Sequence, residues 1–283
     1  MNFFDWFVNG GGRAPEGLFS FAHLFSVTLT LAILLTLAVF LAKKFKNNQK
    51  AQNITLIITA ALVVFLEIIK LTVLLITTDN VLRCLLGNMP LYFCDIMMYV
   101  IPVCVLVKGR AKEICYDFIA ICGLLMGFMG NYFAGNIYGN WPAFSFYALN
   151  SLFNHSLSAF AALFVWLCKL NKMEKRNIPF TIGILFVFMT VALLVDYGRL
   201  WASGNAGNYM FFFSGDGTPY SLFLSLFQGN LIIYQIFIYV LQCGYIGLFY
   251  AIYYPIAKRI AMHKAQNKQE EQPTDAPKDQ VAE

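Results

Sequence analysis

Few residues in this sequence could do chemistry, and most of them stand inside apolar runs. Cys94 ends the run Pro90-Leu91-Tyr92-Phe93-Cys94, and Asp95 follows it. His155 closes Asn150-Ser151-Leu152-Phe153-Asn154-His155 and is the one histidine in the middle of a long apolar stretch. A thiol beside a base that can take and return a proton near neutral pH makes a nucleophile for acyl transfer. The bland alternatives are a packing role for Cys94, as a small hydrophobe, and an interhelical hydrogen bond for His155. Glu67 and Lys70 stand three residues apart on one helix face and can pair. They read either as a structural ion pair or as the lining of a polar cavity. Asp95 could bond His155 or a backbone donor, or face an aqueous cavity. Tyr92 and Asn154 sit beside the two reactive positions and count as supporting residues. Asn208 and Tyr209 could donate to an oxyanion, although Asn208 equally suits a structural turn. Asp196 and Arg199 repeat the three-residue spacing and read as interfacial, as does His23. Asp79 and Arg83 read as solvated loop residues.

The elements that must position these groups are membrane spans. Hydrophobic residues make up 59% of the 283 and charged residues 12%. A soluble domain carries about 25% charge. A helix needs about 20 apolar residues to cross the hydrocarbon core. Seven stretches qualify, at about 18–42, 53–78, 90–107, 113–133, 149–168, 178–200 and 230–257. This predicts an all-α polytopic bundle of about seven transmembrane helices in a single domain, 1–262. Residues 263–283, polar and with Pro273 and Pro277, read as a disordered cytoplasmic tail. The start lacks a basic segment with a small-residue cleavage site, so the first span is expected to be retained. The segment 203–228, apolar but broken by Gly, Asn and Pro, reads as an outer loop with an interfacial or re-entrant piece.

Cytoplasmic loops collect Lys and Arg. Here they gather at Lys43–Lys50, Lys108–Lys112, Lys169–Arg176 and Lys258–Lys278, on alternate connections. That alternation predicts an N-terminus outside and a C-terminus inside. Topology therefore accounts for the net charge of +5, and no nucleic-acid partner is implied. Counted from its helix end, Cys94 would lie roughly 6 Å and His155 roughly 9 Å deep. Both then fall in the outer half of the membrane. Ionisable groups at such depths are candidate functional residues. The seven cysteines show no CxxC or zinc-ligand spacing, and with three histidines a metal centre is not indicated. No cofactor is called for.

The stretch Pro90-Leu91-x-x-Cys94-Asp95, the His155 span and Asn208-Tyr209-Met210-Phe211 together resemble the YwaF-like bacterial integral membrane proteins. Those are similar to an animal transmembrane acyltransferase family acting on ether phospholipids. The likeness in layout covers roughly residues 15–260. It implies seven spans in a bacterial plasma membrane and a Cys–His acyl-transfer centre, with Cys94 and His155 at the family's cysteine and histidine. Relatives often carry histidine where this chain has Tyr92. The expected activity is acyl transfer through a thioester, or its hydrolysis by water as in a lipid thioesterase or hydrolase, on a phospholipid, lysophospholipid or other acyl-lipid substrate. The alternative is a transporter or permease component, with Glu67, Lys70, Asp95 and His155 along a polar path. The sequence does not specify an oligomeric state.

Overall fold

The computed structural model describes residues 2–78, 81–215 and 218–270. All regular structure among them is helical. Seven main helices occupy the predicted spans: α1 (Phe21–Lys44), α2 (Gln49–Ile76), α3 (Ile96–Leu106), α4 (Gly109–Tyr132), α5 (Phe146–Leu167), α6 (Ile178–Ser203) and α7 (Leu231–Glu270). All but α3 are long and apolar enough to cross a membrane. Short helices at Phe3–Val8, Val81–Gly87, Gly135–Tyr138 and Tyr220–Leu226 decorate the connections.

Local chemistry sets the helix ends. The Ser20 hydroxyl accepts from the His23 N–H at 3.3 Å and starts α1. Asn48 caps α2 through Ala51 N–H at 3.0 Å. Lys43 and Lys44 close α1, where cations suit the negative end of the helix dipole. Gly204, at φ 66°, ends α6 in the left-handed conformation that glycine tolerates.

The bundle is organised around α4 and α5, its most intimate pair. α1 and α2 pack on α5, α3 lies against α2 and α4, and α7 pairs with α6. The α4–α5 contact is made by small residues. A Cβ added at Gly127 would stand 2.4 Å from the Ala159 Cβ, and one at Gly123 would stand 2.7 Å from the Ser158 carbonyl. Such spacing lets two backbones approach where no hydrophobic effect drives helices together. Polar links reinforce it: Asn131 Nδ2 donates to Ser156 Oγ at 3.0 Å, and Trp166 Nε1 donates to the Ala120 carbonyl at 2.9 Å. The outer faces of α1, α2, α6 and α7 expose large apolar side chains, among them Phe40, Phe65, Leu194 and Ile236. Such surfaces suit lipid.

Several expectations need correction. The third span does not begin as an α-helix at Pro90. Residues 88–92 are irregular, Phe93–Asp95 form a 3-10 turn, and α3 follows. Turn and helix together extend about 20 Å, short of the roughly 30 Å hydrocarbon core. The residue before a proline is disfavoured in helix, and the Met89 N–H is already taken by the Tyr209 hydroxyl at 2.8 Å. Cys94 therefore sits in a turn ahead of the helix, not one turn inside it. His23 is fully buried, not interfacial. Its Nδ1 accepts from Phe19 N–H at 3.0 Å and its Nε2 meets the Asn131 carbonyl at 2.9 Å. Asp196, also read as interfacial, is fully buried. Helix α7 runs past 262 to Glu270. Residues 271–283, Asp79 and the Arg83 side chain lie outside the described residues.

At the end of the bundle that carries the basic loops, Asp117 of α4 is fully buried. It accepts from Met173 N–H at 2.9 Å, Asn177 Nδ2 at 2.9 Å and the Tyr250 hydroxyl at 3.4 Å. One carboxylate thus fastens the α5–α6 connection and α7 to α4.

Overpacking a tight contact costs about 1–3 kcal/mol. Gly127→Ala is therefore expected to lower the melting temperature in detergent. Gly183→Ala on α6, where an added Cβ meets nothing within 4 Å, should leave it unchanged. A differential scanning measurement on both variants checks the contrast.

Candidate functional site

The site lies at the end of the bundle opposite the basic loops. It begins with the turn that carries Cys94. The Asp95 N–H donates to the Tyr92 carbonyl at 2.9 Å, and the Tyr92 N–H donates to Asp95 Oδ2 at 3.1 Å. This reciprocal pair closes the turn and fixes the carboxylate. Asp95 thereby bonds a backbone donor, one of its three expected roles. Its other oxygen, Oδ1, lies 3.9 Å from Cys94 Sγ.

Helix α2 brings Glu67 and Lys70 alongside. Lys70 Nζ meets Glu67 Oε2 at 2.7 Å, and the Glu67 side chain is buried while the lysine keeps a little exposure. Glu67 Oε1 has no hydrogen-bond partner. Asn150 of α5 donates to the Leu66 carbonyl at 2.8 Å, and Asn154 Nδ2 reaches Asn150 Oδ1 at 3.4 Å. These amides register α5 against α2 one residue before Glu67.

Helix α5 supplies His155. Its Nδ1 lies 2.7 Å from the Ser151 carbonyl, which can only accept. That contact assigns the proton to Nδ1 and leaves Nε2 as the basic nitrogen. The imidazole edge rests on Gly130 of α4. A Cβ there would come within 2.0 Å of His155 Cδ2 and 2.3 Å of Nε2. The Asp95 carboxylate is felt electrostatically at Glu67, Lys70, Cys94 and His155. The fold thus gathers the sequence-predicted residues of α2, the Cys94 turn and α5 into one polar cluster. It forms no hydrogen bond between Cys94 and His155.

The segment after α6 folds back onto this cluster, and Tyr209, Met210 and Phe212 are buried. Met210 and Phe211 take φ of 55° and 62°, a left-handed conformation that costs free energy for side-chain-bearing residues. The Tyr234 hydroxyl donates to the Phe211 carbonyl at 2.7 Å and helps hold it. Asn208 does not face the site as an oxyanion donor. Its Nδ2 donates to the Ser214 carbonyl and hydroxyl at 3.1 and 3.2 Å, and its Oδ1 accepts from Phe213 and Ser214 N–H at 3.0 and 2.8 Å. Tyr209 is likewise committed. Its hydroxyl donates to the Leu86 carbonyl at 2.9 Å and accepts from Met89 N–H at 2.8 Å. Burial pushes this phenol up to about 12, so it stays neutral and keeps both bonds. Its ring meets Tyr92 edge-on at 5.3 Å, and Tyr92 also touches Phe211 at 5.6 Å. Both residues build the turn that presents Cys94.

Asp196 lies beneath the same segment, where a Cβ on Gly207 would come within 1.9 Å of its Oδ1. Sequence reasoning missed Tyr220 and Gln242 altogether. The Gln242 amide, one of two glutamines in the apolar part of α7, was the available signal. Its Nε2 reaches the Met210 carbonyl at 3.5 Å and the Tyr220 hydroxyl at 3.4 Å.

The architecture defines a multi-pass helical membrane protein with a buried polar cluster near one end of the bundle. The TMEM164 family model matches residues 18–253, and the chain belongs to the TMEM164 family. No curated protein and no solved structure matches it.

Two substitutions probe the assembly. Tyr209→Phe removes both bonds that hold the segment 86–89, at about 0.5–1.5 kcal/mol each. The expected outcome is a lower melting temperature with faster alkylation of Cys94, followed by mass spectrometry of its peptide. Gly130→Ala is expected to displace the His155 ring, seen as a shifted histidine resonance, with a smaller loss of stability than Gly127→Ala.

Proposed function

We propose that this chain is an acyltransferase embedded in a bacterial plasma membrane, with Cys94 as nucleophile and His155 as base. The observation that carries the reading is the convergence of a thiol, a carboxylate, an ammonium and an imidazole from three separate parts of an apolar bundle. Ionisable groups are expensive there and are retained where they do work. The likeness to YwaF-like proteins and to the ether-phospholipid acyltransferases supports the same chemistry. The cluster sits away from the basic loops, and the positive-inside tendency supports an outer-side cluster with the N-terminus outside.

His155 Nε2 takes the Cys94 proton, and the thiolate attacks the acyl carbon of a phospholipid ester. The tetrahedral adduct collapses, and the C–O bond to the glycerol oxygen breaks. That oxygen receives the proton from His155 and leaves as a lysophospholipid. The hydroxyl of a second lipid then gives its proton to His155 and attacks the Cys94 thioester; the C–S bond breaks, the acyl chain passes to the second lipid, and His155 returns its proton to the departing sulfur. Asp95 keeps the turn closed beneath the sulfur, and Lys70 offsets negative charge that develops beside it. Catalytic hydrogen bonds are commonly long before substrate binds, so the absence of a Cys94–His155 bond in the free protein is compatible with this course.

The test is an acyl-enzyme trap. Wild-type protein in vesicles of radiolabelled phosphatidylcholine should acquire label that neutral hydroxylamine removes. Cys94→Ala should acquire none. His155→Ala should label at least about 100-fold more slowly, the lower end of what a positioned base contributes. Turnover retained in Cys94→Ala would overturn the assignment.

A further inference from the structure

Acyl transfer at Cys94 needs a donor for the oxygen that turns anionic in the tetrahedral adduct. The two side chains that sequence reasoning offered, Asn208 and Tyr209, spend their hydrogens inside the loop that builds the site. The Asp95 N–H is spent on the Tyr92 carbonyl. The Lys70 ammonium is held by Glu67 at 2.7 Å. One further hydroxyl, that of Tyr220, belongs to the same neighbourhood. Tyr220 begins the short helix Tyr220–Leu226, and its ring stacks on Phe211 at 5.1 Å. Phe211 in turn touches Tyr92, two residues before the nucleophile, at 5.6 Å. Tyr92, Phe211 and Tyr220 thus form a continuous aromatic row beside the Cys94 turn. Tyr220 and Cys94 lie within electrostatic reach of each other.

The hydroxyl is oriented from behind. Gln242 of α7 is buried, and its Nε2 donates to the Tyr220 oxygen at 3.4 Å. The same amide nitrogen reaches the Met210 carbonyl at 3.5 Å. The Tyr220 oxygen therefore already accepts, while its own hydrogen has no acceptor among the described residues. Gln242 Oε1 is also buried without a partner. Buried polar atoms left unpaired in a folded protein call for an explanation such as a ligand. Burial pushes the Tyr220 phenol up to about 12, so its proton is in place at neutral pH.

We infer that Tyr220 is the oxyanion donor of the acyl-transfer centre, with Gln242 as its positioning residue. The inference rests on the acyltransferase reading. Tyr220 Oη–H bonds the ester oxygen as the Cys94 sulfur adds to the acyl carbon and the C=O electron pair moves onto that oxygen. The bond is released when the carbonyl re-forms and the alkoxide leaves. No proton is transferred from Tyr220 at any stage.

Two reactions of Cys94 separate this role from a structural one. Acylation by p-nitrophenyl decanoate passes through an oxyanion and releases p-nitrophenolate. Alkylation by iodoacetamide displaces iodide and forms no oxyanion. On the full chain in detergent, Tyr220→Phe is expected to slow the p-nitrophenolate burst by about 100–1000-fold, the effect of losing one oxyanion donor. Alkylation of Cys94, read by peptide mass spectrometry, should proceed at the wild-type rate. A burst unchanged in Tyr220→Phe would overturn the inference. So would a parallel fall in both reactions, which would mark Tyr220 as a structural support for the turn. If the wild-type protein gives no burst that depends on Cys94, the acyltransferase reading itself fails, a result distinct from the other two.

Discussion

The close approach of α4 and α5 is the constraint on which the rest of the structure depends. Gly123 and Gly127 leave no room for any side chain between the two backbones. Dispersion between helices is the main attraction available in a lipid environment, and it needs such proximity. Gly130 lies near the same seam but receives the His155 imidazole in place of a methyl group. Next to it, Asn131 uses its carbonyl for His23 and its side chain for Ser156. Three successive functions therefore share one short stretch of α4: packing, seating the histidine, and tying in α1.

The polar groups inside this bundle follow one rule at both ends. A carboxylate inside the bundle is stabilised by donors from an adjoining connection, and the connection is fixed in return. Asp117 does this for Met173 and Asn177. Asp95 does it for Tyr92. An unpaired buried donor costs more than a made bond contributes, so each partnership makes the loop conformation hard to lose. The difference lies in what remains. Asp117 is surrounded by donors to both oxygens, whereas Asp95 keeps one oxygen turned toward a thiol. That leftover valence is what separates a structural carboxylate from one that can take part in chemistry.

Much of this was legible in the sequence because membrane helices have strong compositional signals. The six long spans fell where apolar runs demanded them, and Cys94, Asp95, Glu67, Lys70 and His155 stood out as rare polar groups in apolar surroundings. The third span failed because its start is decided by a distant residue. Tyr209 takes the hydrogen-bonding groups of Leu86 and Met89, and nothing near Pro90 announces that. His23 misled for a similar reason, since its partner, the Asn131 carbonyl, is a backbone atom far along the chain. Tyr220 was hard to single out because tyrosine is common in this sequence, and the Gln242 amide, the one signal on offer, shares the apolar part of its helix with Gln235 and gives no spacing that ties it to Cys94.

The cluster also shows why a turn, not a helix, presents the thiol. Inside a regular helix the amides of residues 94 and 95 would be spent on carbonyls one turn earlier. In the turn the Asp95 N–H closes onto the Tyr92 carbonyl instead, and the Asp95 carboxylate is left beside the sulfur. A turn is less rigid than a helix, so its geometry has to come from elsewhere. It comes from the Tyr209 hydroxyl, the Asp95–Tyr92 pair and the aromatic row through Phe211, supplied by a segment that itself holds two residues in left-handed conformations. Strain of that kind persists only where surrounding contacts over-determine it. The clamp formed by Asn208, Tyr234 and Gln242 is what over-determines it here, which makes α7 and the segment before it as necessary to the thiol's placement as the helix that follows the thiol.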